Sequence, residues 1–198
     1  MDHFKTHLFP TVVQGFDNLL TEKQIDVMKK DIVKSSKGKK NWQSNSKIHE
    51  NKKYKPLVDK ILKISKIVFD DYKYVYEKFE ITDMWSNIIK PNEAHKAHTH
   101  PNNLLSGVYY VDSDNINIHF IDPRTQALVI APKVENYIVE NSQTWFFPSI
   151  TNRIILFPSW LEHYVPQNNT NKDRISISFN IMLRGLVGSS NEYKSARF

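Results

Sequence analysis

The sequence predicts a mainly β protein whose helices are confined to the first third and whose strands run antiparallel in a sandwich or barrel. Apolar residues recur at helical spacing only before about residue 78. From Phe79 onward, short runs rich in β-branched and aromatic residues alternate with turn signals. One of these runs, starting at Arg174, alternates apolar and polar side chains strictly. The 198 residues are enough for a single domain with its own core. Its expected parts are a helical support region over about 1–78, a β core over about 79–184 and a C-terminal tail over 185–198.

Thr21 reads as the N-cap of a first helix over Glu22–Val33, with Ile25, Met28 and Ile32 on one stripe. A polar loop follows, roughly Lys34 to Lys55. Leu57, Ile61, Ile64 and Val68 then mark a second amphipathic helix running to about Tyr74. The expected strands are Phe79–Ile89, Leu104–Val111, Asn115–Ile121, Ala127–Ala131, Tyr137–Glu140, Arg153–Phe157 and Arg174–Leu183. In the last, Arg174, Ser176, Ser178 and Asn180 share one face. Polar residues on such a face usually point to solvent; inside a small barrel they would instead line a pocket.

Composition narrows the chemistry. The chain has no cysteine, so disulfides, thiolate metal sites and a cysteine nucleophile are all excluded. Any metal must be held by nitrogen and oxygen. No apolar run approaches the roughly 18 residues of a membrane span, and the first 30 residues show no secretory pattern, so a cytoplasmic protein is expected. The net charge is +6. The first 80 residues carry all of it, with 17 lysines, no arginine and 11 acidic residues. Lys60, Lys63 and Lys66 fall at helical spacing and read as a solvated face. Base readout leans on arginine, so a nucleic-acid partner is disfavoured. Lys37, Lys39 and Lys40 surround Gly38 and read as a flexible loop.

Three of the eight histidines fall within six residues, at His95, His98 and His100. In extended chain, His98 and His100 project to one side, while His95 has the opposite parity unless the chain turns at Lys96. His163 comes later, just past a strand. Two imidazoles close in sequence and one distant are the common pattern of a metal site on a β scaffold. Eleven residues on lies Arg174, suited to a bidentate hold on a carboxylate, with Ser176 on the same face as a hydroxyl donor.

These residues resemble a family of 2-oxoglutarate- and iron(II)-dependent oxygenases in the prolyl-hydroxylase-like superfamily, with members in bacteria and in viruses of marine bacteria. The likeness runs from Trp85-Ser86-Asn87 through His95-x-x-His98-x-His100-Pro101 and Ser106-Gly107-Val108-Tyr109-Tyr110-Val111. It continues through Asp122-Pro123-Arg124, Phe157-Pro158-Ser159-Trp160-Leu161-x-His163 and the Arg174 strand, covering roughly residues 80–182. The resemblance implies a double-stranded β-helix, the jelly-roll or cupin-like fold. It implies Fe(II) held by His98, His100 and His163, with 2-oxoglutarate secured by Arg174, Ser176 and Tyr110, and O2 as the second co-substrate. His95, Trp85, Asn87 and Asn180 are candidates to touch the substrate or to support the ligands.

The expected activity is a dioxygenase, a hydroxylase that couples oxidative decarboxylation of 2-oxoglutarate to succinate and CO2. Its primary substrate, a protein side chain or a small molecule, is not named by the sequence. The superfamily places a carboxylate where this chain has His100, so a ligand from Asp122 or Glu162 is an open alternative. Two rival readings are a cupin-like three-histidine dioxygenase that uses no 2-oxoglutarate and a non-catalytic jelly-roll binding module. A homodimer is left open, and a phage gene would place the protein in the host cytoplasm.

Overall fold

The computed structural model describes residues 1–113, 116–189, 193 and 195–198. The chain opens with strand β1 (Gln14–Phe16), helix α1 (Glu22–Ser36), strand β2 (Trp42–Gln43) and helix α2 (Lys55–Asp71). Thr21 closes a capping box: its hydroxyl accepts from the Gln24 backbone N–H, and the Gln24 side chain accepts from the Thr21 N–H. This satisfies two of the N–H groups that a helix start leaves without partners. α1 ends at Lys37 in the left-handed conformation, φ 50°. The expected polar loop is more ordered than its composition suggests: besides β2 it holds 3-10 turns at Ile48–Glu50 and Lys52–Tyr54.

The strands that follow are β3 (Lys78–Ile89), β4 (His95–His98), β5 (Leu105–Asp112), β6 (Ile118–Ile121), β7 (Thr144–Phe147), β8 (Ile154–Pro158), β9 (His163–Val165) and β10 (Arg174–Arg184). A short hairpin, β11 (Leu186–Val187) with β12 (Ala196–Arg197), occupies the expected tail. Six strands pair in the order β1-β8-β5-β10-β3-β2, and four in the order β4-β9-β6-β7, antiparallel throughout. The expected β core therefore borrows two strands, β1 and β2, from the region expected to be helical.

Alternation assigns each face of the larger sheet. Ile175, Ile177, Phe179, Ile181 and Leu183 of β10 form one cluster with Met28 and Ile32 of α1 and Leu57, Ile61, Ile64 and Val68 of α2. The helices thus cover the outer face, their apolar stripes leaving water together with that of the sheet. The inner face carries Val108, Tyr110, Ile155 and Phe157, which pack against Ile118 and Phe120 of the four-stranded sheet. Two antiparallel sheets facing each other make the jelly-roll, and the remaining inward positions of β3 and β10 line its cavity.

Three expected elements differ. Ala127–Ala131 and Tyr137–Glu140 are not strands; the connection from β6 to β7 holds only a 3-10 turn at Thr125–Leu128. Val129, Ile130, Tyr137, Ile138 and Val139 are exposed there. Their β propensity finds no face on which to be buried, and burial is what that propensity mostly measures. Asn115, the expected start of the next strand, lies outside the described residues. No helix among the described residues is long and apolar enough to cross a membrane.

Candidate metal centre

The smaller sheet brings two of the histidines together. β4 pairs with β9 so that His98 lies opposite His163 and His95 opposite Val165, with a bulge between His95 and His98. An extra residue on one strand reverses side-chain parity across it. The bulge therefore does what a turn at Lys96 would have done: His95 and His98 both line the cavity. His100 follows the end of β4, and its backbone N–H donates to the Ser159 carbonyl at 2.9 Å.

His98, His100 and His163 each offer a ring nitrogen within 4.8 Å of the other two. Every Nδ1 is already committed. That of His98 lies 2.8 Å from the Lys96 carbonyl, that of His163 2.9 Å from the Leu161 carbonyl, and that of His100 2.6 Å from Asn180 Oδ1. A carbonyl oxygen only accepts, so each Nδ1 carries the proton and each Nε2 keeps its lone pair free. His100 Nε2 is buried with no partner among the described residues. Burying such an acceptor unpaired is costly, and a cation bound there would remove that cost. Borderline metals such as Fe(II) suit imidazole donors. The donor set fits.

Burial, more than any charge, pushes His163 down to about 3. Burial also lowers His100, against the Asn180 hydrogen bond, which raises it. The His163 and His100 rings are therefore neutral at ordinary pH. No carboxylate joins the group among the described residues. Both oxygens of Asp122 hold the Arg124 guanidinium, at 3.0 and 2.8 Å, and Glu162 is exposed.

Behind His100 runs a buried polar chain. Asn180 Oδ1 also accepts from Ser106 Oγ at 2.9 Å, and Ser106 Oγ lies 2.7 Å from Ser159 Oγ. Trp85 stacks on the open face of His100, centroids 5.6 Å apart, and Phe157 meets His163 edge-on at 4.6 Å. Neither Ser106 nor Ser159 stands out as a functional residue in the sequence. The strand register is the signal that finds Ser106, since it pairs with Asn180 across β5 and β10.

The cavity beside the histidines measures about 550 Å³ and is lined by Trp85, Asn87, His95, Arg174 and Ser176 among others. That lies within the range of small-ligand sites, roughly 300–1,000 Å³. Arg174 is 2% exposed, yet its one side-chain hydrogen bond among the described residues runs from Nη1 to Ser176 Oγ at 3.1 Å. Its Nε has no partner, and the Tyr110 hydroxyl is likewise buried without one. The guanidinium carbon sits 5.1 Å from the Tyr110 ring centre. Burial lowers the Arg174 pKa and raises that of Tyr110 to about 12, the nearby guanidinium opposing the latter shift. A buried cation without an anion is an expensive arrangement, and a ligand carboxylate would complete it. His95 is half-buried and pushed to about 4, by burial first and then by the Arg174 charge. Asn87 accepts from Gln43 Nε2 at 3.0 Å and donates to Ser178 Oγ at 3.0 Å, which fixes its amide in the wall.

Residues 83–180 match the family described as "Putative 2OG-Fe(II) oxygenase". The fold is similar to a Pseudomonas putida prolyl-4-hydroxylase, at 9% identity and TM-score 0.62 over 88% of this chain and 94% of that one. It is similar to the viral collagen prolyl hydroxylase of Paramecium bursaria Chlorella virus-1, at 13% identity and TM-score 0.58 over 85% and 94%. It is also similar to HygX of Streptomyces hygroscopicus, solved with nickel and 2-oxoglutarate, at 7% identity and TM-score 0.61 over 95% and 91%. At these identities the likeness concerns the fold. No curated protein sequence matches the chain.

Proposed function

We propose, from the match of residues 83–180 to the 2OG-Fe(II) oxygenase family, that this chain is a 2-oxoglutarate- and Fe(II)-dependent dioxygenase, a hydroxylase in its outcome. In this reading His98, His100 and His163 hold Fe(II) through Nε2, and Arg174 with Ser176 and Tyr110 secures the distal carboxylate of 2-oxoglutarate. One observation carries it: three imidazoles with free Nε2 atoms share a cavity with a buried guanidinium that lacks an anionic partner. When bound, the iron supplies the oxidising chemistry that couples loss of CO2 from 2-oxoglutarate to oxidation of the substrate.

The protein's share is positioning and electrostatics. The Lys96 and Leu161 carbonyls and the Asn180 amide oxygen engage each Nδ1, so Nε2 is the atom each ring would offer a cation. Neutral ligands leave the cation's charge to be balanced by the bound dianion. Arg174 is pre-placed for that dianion: Ser176 holds Nη1, and the remaining N–H groups stay available. Tyr110 can donate its hydroxyl to the same carboxylate. Val108 and Phe157 give the cavity an apolar wall, with Phe120 packed behind Phe157, the kind of lining that favours exclusion of water.

The test pairs the wild type with Arg174→Met under anaerobic conditions. Fe(II) with 2-oxoglutarate should give the wild type a visible charge-transfer band, and air should then yield succinate. Arg174→Met should weaken 2-oxoglutarate binding about 100-fold, as expected for losing a buried charge-assisted pair, with metal uptake unchanged. It should also unfold at higher temperature than the ligand-free wild type, because an uncompensated buried charge has gone. Equal loss of metal and 2-oxoglutarate would overturn the assigned roles. The all-imidazole ligand set favours one second reading, a cupin-like dioxygenase that binds its substrate directly. That reading predicts turnover without succinate.

A further inference from the structure

The lysine-bearing loop after α1 stands at the mouth of this cavity. Asn41 and Gln43 line the cavity, and so does the exposed Lys96. The loop is tied there from both sides: Lys90 Nζ donates to the Gly38 carbonyl at 2.7 Å, and the Asn41 N–H donates to both Glu93 carboxylate oxygens at 2.9 Å. Beyond it, Trp42 and Gln43 pair with Ile88 and Asn87 of β3. Lys39 and Lys40, both exposed, are therefore held next to the opening rather than left to wander.

We propose that the primary substrate is a small anionic molecule, entering with its carboxylate or phosphate against Lys39, Lys40 and Lys96. This rests on the reading above in which Arg174 is occupied by 2-oxoglutarate. Arg174 is buried in the cavity wall, whereas Lys96 is an exposed part of its lining and Lys39 and Lys40 are exposed just before the lining residue Asn41, so the co-substrate leaves their charge unspent.

Lys29, Lys30, Lys53, Lys55 and Lys66 each pair with an aspartate, whereas other lysines of the first third, Lys60 and Lys63 among them, form no ion pair among the described residues. What sets this place apart is the cavity beside it. Lys39, Lys40 and Lys96 form no ion pair among the described residues. The Glu93 carboxylate beside this loop is turned onto backbone amides, accepting from Lys90 N–H as well as from Asn41. Among the described residues, no acidic side chain lines the cavity. Unbalanced positive charge at the mouth of a low-dielectric cleft concentrates the field and steers anions inward. An ammonium on a flexible stem grips a carboxylate or a phosphate as a point charge. The Trp85 ring and the Asn87 amide then offer the remainder of such a molecule an apolar face and a polar edge.

The probes are phenyl phosphate, phenylacetate and the uncharged phenylacetamide, titrated calorimetrically into wild-type protein carrying Mn(II) and 2-oxoglutarate. The anions should bind about tenfold more tightly than the amide at low salt, the sum of a few screened ion pairs. That preference should vanish in Lys39→Ser/Lys40→Ser/Lys96→Ser and reverse in Lys39→Glu/Lys40→Glu. The two anions ranked against each other distinguish phosphate from carboxylate. Equal binding of anion and amide, or a preference that survives in both variants, would overturn the proposal. Binding of 2-oxoglutarate is measured in the same cell. Its absence in the wild type would sink the parent reading, and the rim would still be judged from the same three titrations on the Mn(II) protein alone.

Discussion

Asn180 shows how much one side chain decides. Its amide oxygen is the acceptor that keeps His100 in the productive tautomer, and Ser106 keeps that oxygen in place. Asn180→Ala should weaken metal binding about 10- to 100-fold, the usual penalty for losing a ligand's outer partner. A fluorescence or calorimetric titration with Mn(II) checks this, and Asn180→Asp, which restores an acceptor, should recover most of the affinity. The convergence of His98, His100 and His163 was legible through the resemblance to a known family more than through their spacing, since paired histidines are common. Arg174 was legible because it opens a strictly alternating strand. Ser106 and Ser159 were not, since serine is common everywhere and only the pairing of β5 with β10 brings Ser106 to Asn180. The parity of His95 was hidden by a bulge that carries no sequence mark.

At the scale of elements, β10 carries both halves of the fold. One edge of its alternation faces the helices, the other faces the cavity, and its two neighbours β3 and β5 follow the same parity. That alternation was fully legible, as were both helices. The false strands at 127–131 and 137–140 came from β-branched residues that are exposed, where local preference had no tertiary support. Gly107 marks a close approach within this sheet. A Cβ there would lie 2.3 Å from Phe179 Cζ and 2.8 Å from the Ile155 carbonyl oxygen. Gly107→Ala should therefore cost about 1–3 kcal/mol of stability through overpacking, read as a lower urea midpoint at unchanged m-value. Phe179→Leu in the same chain should recover part of the ring's share but not the clash with the carbonyl.

Across the whole molecule, the buried histidines couple folding to pH. His95 and His163 are depressed to about 4 and about 3, and His100 is lowered as well, burial being the main cause of each. Their unfolded value is about 6.5. Below that value the unfolded chain binds protons that the folded chain refuses, so stability is full above about pH 6.5 and falls as pH drops towards 4. Each fully linked imidazole contributes at most about 1.4 kcal/mol per pH unit. Thermal melts of metal-free protein between pH 7.5 and 4.5 should show this slope. Mn(II) should raise the melting temperature at the upper end and lose its effect at the lower, as protons compete for the same lone pairs.

Two of the three rings are oriented by the main chain two residues upstream, through the carbonyls of Lys96 and Leu161. No substitution at positions 96 or 161 deletes those acceptors. The third ring leans on an amide that a single codon can change. Among the three Nδ1 acceptors, natural variation and laboratory evolution alike can therefore replace only the one at position 180, while the other two are soldered into the backbone.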